Sequence, residues 1–274
     1  MPTTRFTVTG TTMLTPTMVR VHLSTDDLSG FADSRFADRY VKLVFPKPGV
    51  ELPEQLDVRS LRGTMPPEDL PVVRTYTALN PDVEAGTMDI DFVVHGDEGV
   101  AGPWAARAQA GDTLIANGPG GAYTPDPTAD WHLLVGDESA VPAISAALQA
   151  MHPDATAQVV ILVDSADHEP KLTLPAGGSV TFVHRAKGGS LESVVRGLEW
   201  LDGRVHAFVH GEAEETMKGL RPYLRTERGL GREQLSISGY WRRGTSEDGF
   251  REWKAKLASE EGEETPSRRG RPGS

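Results

Sequence analysis

The chain has 274 residues, a formal charge of −11 and no cysteine. That length gives room for two domains with cores of their own, and the missing cysteine excludes disulfides, thiol catalysis, thiolate zinc sites and cysteine-ligated iron–sulfur clusters. The acidity argues against nucleic acid as a partner. No apolar run reaches the roughly 18 residues of a membrane span, and Met1-Pro2-Thr3-Thr4-Arg5-Phe6 lacks the apolar core of a signal peptide, so a cytoplasmic location is expected.

The first half reads as strands. Met18–Ser24 alternates cleanly and Tyr40–Phe45 follows as a second strand. Residues 46–72 hold six prolines and many charges and are read as a long connection. Strands near 73–79, 88–95 and 113–117 complete a pattern that predicts a small antiparallel barrel, punctuated at its end by Gly118-Pro119-Gly120-Gly121-Ala122-Tyr123.

The rhythm then changes. Trp131–Val135 is an apolar strand, Gly136–Ser139 a turn and Ala140–Met151 a helix. Strands at Val159–Val163, Val180–His184, 205–210 and Leu235–Tyr240 are interleaved with helices at 190–199 and 213–228. Alternation of this kind predicts right-handed βαβ units and a parallel sheet. The expected fold is therefore an antiparallel β-barrel over 1–125 and a parallel-sheet α/β domain over 126–258. Residues 259–274, without apolar periodicity, are expected to be a disordered tail.

Four stretches stand out chemically. In Arg74-Thr75-Tyr76-Thr77 the charge and the ring share one face of a strand and the two hydroxyls the other. A fixed charge beside a flat ring and a hydroxyl suits a ligand with a phosphate, a planar ring and polar ring atoms, as in a flavin nucleotide. The strand before His95-Gly96 leads to Gly102-Pro103-Trp104, which opens a short helix whose N–H groups suit a pyrophosphate. His95 is either an acid/base group or a hydrogen-bonded loop histidine.

Gly136-Asp137-Glu138-Ser139-Ala140 sits where a dinucleotide fold carries Gly-x-Gly-x-x-Gly, and its two carboxylates would repel a pyrophosphate. It is either a helix cap or a turn beside a nicotinamide or flavin ring. Asp164, after the second strand of the sheet, is either a ribose ligand or a loop acid, and Arg185 with Lys187 either meet an adenosine phosphate or are surface charges. Gly239-Tyr240-Trp241-Arg242-Arg243-Gly244 falls at the carboxyl end of the last strand, the edge where open α/β sheets bind ligands.

Taken in this order, 74–77, 95–105, Gly111-Asp112, 118–121, 136–144 and 239–244 resemble the siderophore-interacting proteins, ferric-siderophore reductases of the ferredoxin–NADP reductase-like superfamily, over about residues 5–256. The resemblance implies a FAD-binding barrel followed by a nicotinamide-dinucleotide domain. It assigns Arg74, Thr75, Tyr76 and Thr77, with Asp91, Val93, His95, Ala101, Gly102 and Trp104, to the FAD site. Asp137, Glu138 and Ser139 would border the nicotinamide, and Tyr240, Trp241 and Arg242 would line the cleft. Arg242 and Arg243 are the candidate substrate contacts. No catalytic acid/base group and no metal ligand is assigned. The chain departs from the family's usual Gly-Pro-Ala order at Gly99-Val100-Ala101-Gly102-Pro103-Trp104.

The implied activity passes electrons from NADPH or NADH through FAD to the iron of a ferric siderophore, releasing Fe(II). A ferredoxin is the alternative donor. A general NAD(P)H:flavin or electron-transfer reductase, and a flavin or siderophore carrier without enzymatic activity, are the rival readings.

Overall fold

Phe6 and Val8 alternate with threonines and polar residues in Thr3–Thr15 (β1), and this pleat buries one face while the other stays wet. The computed structural model describes residues 3–53, 61, 63–97, 99–245, 249, 250, 253, 256 and 257. The expected tail over 259–274 lies outside the described residues. β1 was not among the expected strands. Its threonines are good strand formers, but register shifts between Val8 and Gly10 and between Met13 and Thr15 break the alternation that would have marked it.

Met18–Ser24 (β2), Tyr40–Phe45 (β3), Val72–Thr77 (β4), Leu79–Asp82 (β5), Thr87–Val93 (β6) and Thr113–Gly120 (β7) join β1 in one antiparallel sheet of order β4-β3-β7-β1-β2-β6-β5. The expected strand near 73–79 is two strands. They are separated by Ala78, whose N–H donates to the Arg39 carbonyl at 2.8 Å, and Asn80 follows at a φ of 48°. Since β4 and β5 are the two edges of the sheet and are joined by one residue, the sheet must curl until its edges meet. Tyr76 of β4 and Phe92 of β6 accordingly pack with ring centroids 4.5 Å apart. Phe6, Val21, Leu43, Ile90 and Phe92 fill the interior, each contributing about 1.5–3 kcal/mol by burial.

The second sheet is parallel. Trp131–Asp137 (β8), Thr156–Val163 (β9), Gly177–His184 (β10), Val205–Glu212 (β11) and Leu235–Trp241 (β12) lie in the order β10-β9-β8-β11-β12. β8 is buried along its whole length, as a strand covered on both faces must be. Its Trp131, Leu133 and Val135 enter the core on one side and Leu134 the core on the other.

Ala101–Arg107 (α1) belongs to the barrel, while Val141–Gln149 (α2) and Leu191–Arg196 (α3) flank the parallel sheet. The helix expected over 213–228 runs unbroken from Ala213 to Glu227, with π-type hydrogen bonding over Glu214–Leu220 and Tyr223–Glu227 and Arg221 and Pro222 helical between them. Among the described residues no helix is long and apolar enough to cross a membrane.

The chain between the sheets is tied down. Ala122 and Tyr123 donate their N–H groups to Asp38 Oδ1, both at 2.8 Å, and Asp126 donates its N–H to His206 Nδ1 at 3.0 Å. Met18, Tyr123 and Val93 of the barrel side pack into the same apolar cluster as Leu134, Ala140, Ile144 and Phe208.

Candidate functional site

On β4, Arg74 stands opposite Leu43 and Tyr76 opposite Val41, so both side chains share the face of buried barrel residues. Thr75 and Thr77 stand opposite Lys42 and Tyr40 on the other face, and Lys42 Nζ donates to Thr75 Oγ1 at 3.5 Å. Arg74 is half-buried, and its Nη1 donates to the Val73 carbonyl at 3.1 Å.

Phe92 joins Tyr76 to Trp104. The Trp104 ring lies 5.7 Å from Phe92 and 5.8 Å from Phe45, so it anchors α1 to the barrel core while staying partly exposed. Gly102 lets α1 seat hard on the end of β6, since a Cβ there would stand 3.1 Å from the Val93 carbonyl oxygen. Among the described residues no side chain caps the first turn of α1. His95, just before, is exposed and has no hydrogen-bond partner among the described residues.

Asp91 is occupied internally. Arg20 Nε and Nη2 grip its two oxygens at 2.7 and 2.9 Å, and burial pushes its carboxyl above the usual carboxylate range against that pairing. Val93, on the same face of β6, packs against the apolar cluster that holds Ala140 and Val141, so the end of β6 abuts the turn after β8.

That turn lies at the topological switch of the second sheet. β8 sits beside β9 on one side and β11 on the other, and chain connections leave in opposite directions from it, which opens a crevice at the carboxyl ends of β8 and β11. Asp137 fills its floor. Oδ1 accepts from the Ser139 N–H at 2.9 Å and from Ser139 Oγ at 2.5 Å, while Oδ2 accepts from the Glu212 N–H and the Trp241 Nε1, both at 2.8 Å. Burial raises the Asp137 pKa, and these donors oppose the rise. The turn is a cap: Asp137 holds the start of a 3₁₀ turn that runs into α2.

Gly136 is required by packing, because a Cβ there would lie 2.5 Å from the Ala140 Cβ and 2.7 Å from the His210 carbonyl oxygen. Glu138 points to the neighbouring strands, and Arg185 Nη1 and Nη2 hold its two oxygens at 2.6 and 2.7 Å. The same Nη1 reaches Asp164 Oδ1 at 2.8 Å. Burial works against the Arg185 charge, yet its bonds to Glu138 and Asp164 hold its pKa above the ordinary value. Arg185 and Asp164, which the sequence offered as separate nucleotide contacts, are thus partners of each other.

At the cleft mouth Tyr240 is 38% exposed, and its ring meets His210 edge-on at 5.0 Å. His210 is itself stacked on Phe208 at 3.8 Å and bonded to Ser236 Oγ at 2.9 Å. Arg242 is not a bare cation: Nη2 donates to Glu214 Oε1 at 2.9 Å and the guanidinium covers the Trp253 ring at 5.2 Å. Arg243 is exposed, and its backbone N–H donates to Glu212 Oε1 at 3.1 Å.

Glu212 escaped the sequence reading. Its Oε2 also accepts the N–H groups of Glu214 and Glu215, at 2.7 and 3.1 Å, so one buried carboxylate links the end of β11 to the Arg243 loop. The only signal in the sequence is a charged residue ending an apolar strand.

Residues 7–123 match the siderophore-interacting FAD-binding domain, and residues 129–244 match the siderophore-interacting protein family itself. The chain belongs to the siderophore-interacting protein family. The barrel is its FAD-binding domain. Among relatives of this siderophore-interacting protein, an uncharacterized protein of Mycobacterium tuberculosis is 46% identical over 278 residues, covering 95% of this chain and 97% of the relative. The ferric vibriobactin reductase ViuB of Vibrio cholerae is 34% identical over 252 residues, covering 89% and 91%. A siderophore utilization protein from T. fusca superposes with a TM-score of 0.76 at 35% identity, covering 89% of this chain and 94% of that one.

Proposed function

We propose that this siderophore-interacting protein is a cytoplasmic ferric-siderophore reductase that passes electrons from NAD(P)H to the iron of a bound ferric siderophore and releases Fe(II). The observation that carries the reading is one chain holding both family domains, 7–123 and 129–244, with a ferric-siderophore reductase of Vibrio cholerae 34% identical across 89% of its length.

The residues fit FAD. A guanidinium on Arg74 suits phosphate, the Tyr76 ring suits a planar system, and Phe92 links the Tyr76 ring to Trp104 of α1. Gly102 permits that turn to lie against the end of β6. When bound, FAD supplies the conversion of a two-electron hydride donor into the single electrons that ferric iron accepts. One NAD(P)H thereby balances two Fe(III), yielding NAD(P)⁺, two Fe(II) and a proton.

The chain's own part is positional. Arg74 would hold the phosphates of FAD, and Thr77, His95 and Ala101 would complete its site. Asp137 pins Ser139, Glu212 and Trp241 into one rigid floor at the switch point, which keeps the donor's ring in register with the barrel. Tyr240, backed by His210, closes the mouth of the cleft to water. Ferric siderophore docks outside it, within reach of Arg243. A hard oxygen-donor chelate holds Fe(II) more weakly than Fe(III), so reduction itself loosens the product.

Stopped-flow absorbance tests this. The FAD-loaded protein should bleach with a nicotinamide nucleotide and regain colour with a ferric siderophore faster than with free flavin or oxidised ferredoxin. A protein that takes up no FAD, or reduced protein that ignores every ferric chelate, refutes it.

A further inference from the structure

The ion-pair triad Glu138–Arg185–Asp164 occupies three successive strand ends on the carboxyl edge of the parallel sheet: after β8, after β10 and after β9. Its internal geometry is unequal. Glu138 has a side chain only 5% exposed and takes both Arg185 nitrogens, so it absorbs the guanidinium charge. Asp164 has a side chain 44% exposed and receives a single bond on Oδ1, and its Oδ2 has no partner among the described residues. Two carboxylates and one guanidinium leave the triad with one net negative charge, and the acid turned to solvent carries it.

The surroundings reinforce that sign. Asp137 lies buried next to Glu138, and Glu169 is engaged by His184 Nε2 at 2.8 Å, one residue from Arg185. The nearest cation in sequence, Lys187, points to solvent with no partner among the described residues.

We infer that Asp164 selects the electron donor, and that the donor is NADH rather than NADPH. In open α/β sheets an acid at the end of the second strand accepts a hydrogen bond from the adenosine ribose hydroxyl. Asp164 is that acid, with an open oxygen and with its other oxygen steadied by Arg185. The 2′-phosphate of NADPH carries close to two negative charges and would meet Asp164 where the hydroxyl belongs. Arg185 cannot turn to neutralise it without leaving the buried Glu138 carboxylate unpaired, which is strongly unfavourable. The fixed guanidinium is thus a strut that holds the acid, not a phosphate ligand.

This inference rests on the donor reading of the proposed function, and redox-inert fragments separate the two. FAD-loaded protein is titrated calorimetrically with ADP-ribose and with 2′-phospho-ADP-ribose, neither of which carries nicotinamide. ADP-ribose is expected to bind about tenfold or more tightly, the scale of one charge-assisted hydrogen bond gained against one repulsion. Asp164→Asn, which touches one exposed contact, should erase most of that gap by improving binding of the phosphorylated fragment, and Lys187→Ala should leave the gap in place.

Equal or tighter binding of 2′-phospho-ADP-ribose to the parent protein, or a gap untouched by Asp164→Asn, overturns the inference. If NADPH then bleaches the flavin, the donor reading still stands. Silence from both fragments together with no bleaching by either nucleotide overturns the donor reading, and this inference with it.

Discussion

The indole N–H of Trp241 donates to Asp137 Oδ2 at 2.8 Å across 104 positions of sequence, tying the end of β12 to the end of β8 with β11 between them. Neither residue makes this bond as a neighbour. The parallel register of β8, β11 and β12 brings them to one edge. Trp241→Phe keeps the ring and removes the donor, leaving Oδ2 with only the Glu212 N–H, and should cost about 1–3 kcal/mol. Asp137→Ala removes the acceptor of four donors and should cost more. Chemical denaturation of both variants reads this, and a Trp241→Phe protein as stable as the parent would show that the bond is incidental.

The barrel half of the proposed site rests on Arg74. Arg74→Ala should weaken FAD binding by about 10- to 100-fold, the worth of a charge-assisted phosphate contact. Flavin fluorescence titration measures the loss, and unchanged affinity would remove Arg74 from the cofactor site.

Two glycines should respond oppositely to alanine. At Gly136 the new methyl group would stand 2.5 Å from the Ala140 Cβ and 2.7 Å from the His210 carbonyl. Neither obstacle is the end of a flexible side chain, so overpacking of about 1–3 kcal/mol or more is expected. At Gly197, the C-cap of α3 with φ −85°, the nearest atoms are 3.5 and 3.6 Å away, an ordinary contact, and Gly197→Ala should be neutral or slightly stabilising. Thermal melts of the pair, run side by side, check the contrast.

The local part of this architecture was legible in the sequence because it depends on neighbours. Alternation marked β2, β3 and β6, apolar runs marked β8 and β9, and the stretches at 74–77 and 136–144 carried the family likeness. What stayed hidden depends on register. Whether Arg185 faces a nucleotide or Glu138 is decided by how β8, β9 and β10 align, and no spacing between residues 138, 164 and 185 reports it. That the Trp104 ring also packs on Phe45 and Phe92 depends on how α1 seats on the barrel, which the sequence does not report. β1 escaped because bulges interrupt its alternation. Glu212 escaped because a carboxylate closing an apolar strand looks like any strand end.

The joint between the two sheets should be sensitive to acid. His206 Nδ1 accepts the Asp126 N–H, so this nitrogen must be unprotonated in the fold. His132 is buried with its ring 6.1 Å from that of His206, and its Nδ1 has no partner among the described residues. Burial, and secondarily the neighbouring His206, push His132 down from 6.5 to about 4, and burial lowers His206 as well. Between about pH 4 and 6.5 the unfolded chain therefore binds more protons than the folded one, so stability rises with pH across this window. The contribution is fully present above about 6.5 and is lost as the pH falls towards 4. From pH 7 to pH 5, His132 alone should remove about 2 kcal/mol. Asp126, which Arg204 holds well below the usual carboxylate range, stays ionised in the fold throughout and adds slope only towards pH 4, where the unfolded chain begins to take up its proton. Buried Asp91 and Asp137, raised by burial, act with the opposite sign, so the readout is the difference between parent and His132→Gln in denaturant midpoint against pH. The variant should show the shallower fall between pH 7 and pH 5. Identical slopes would mean that His132 charges as easily in the fold as out of it.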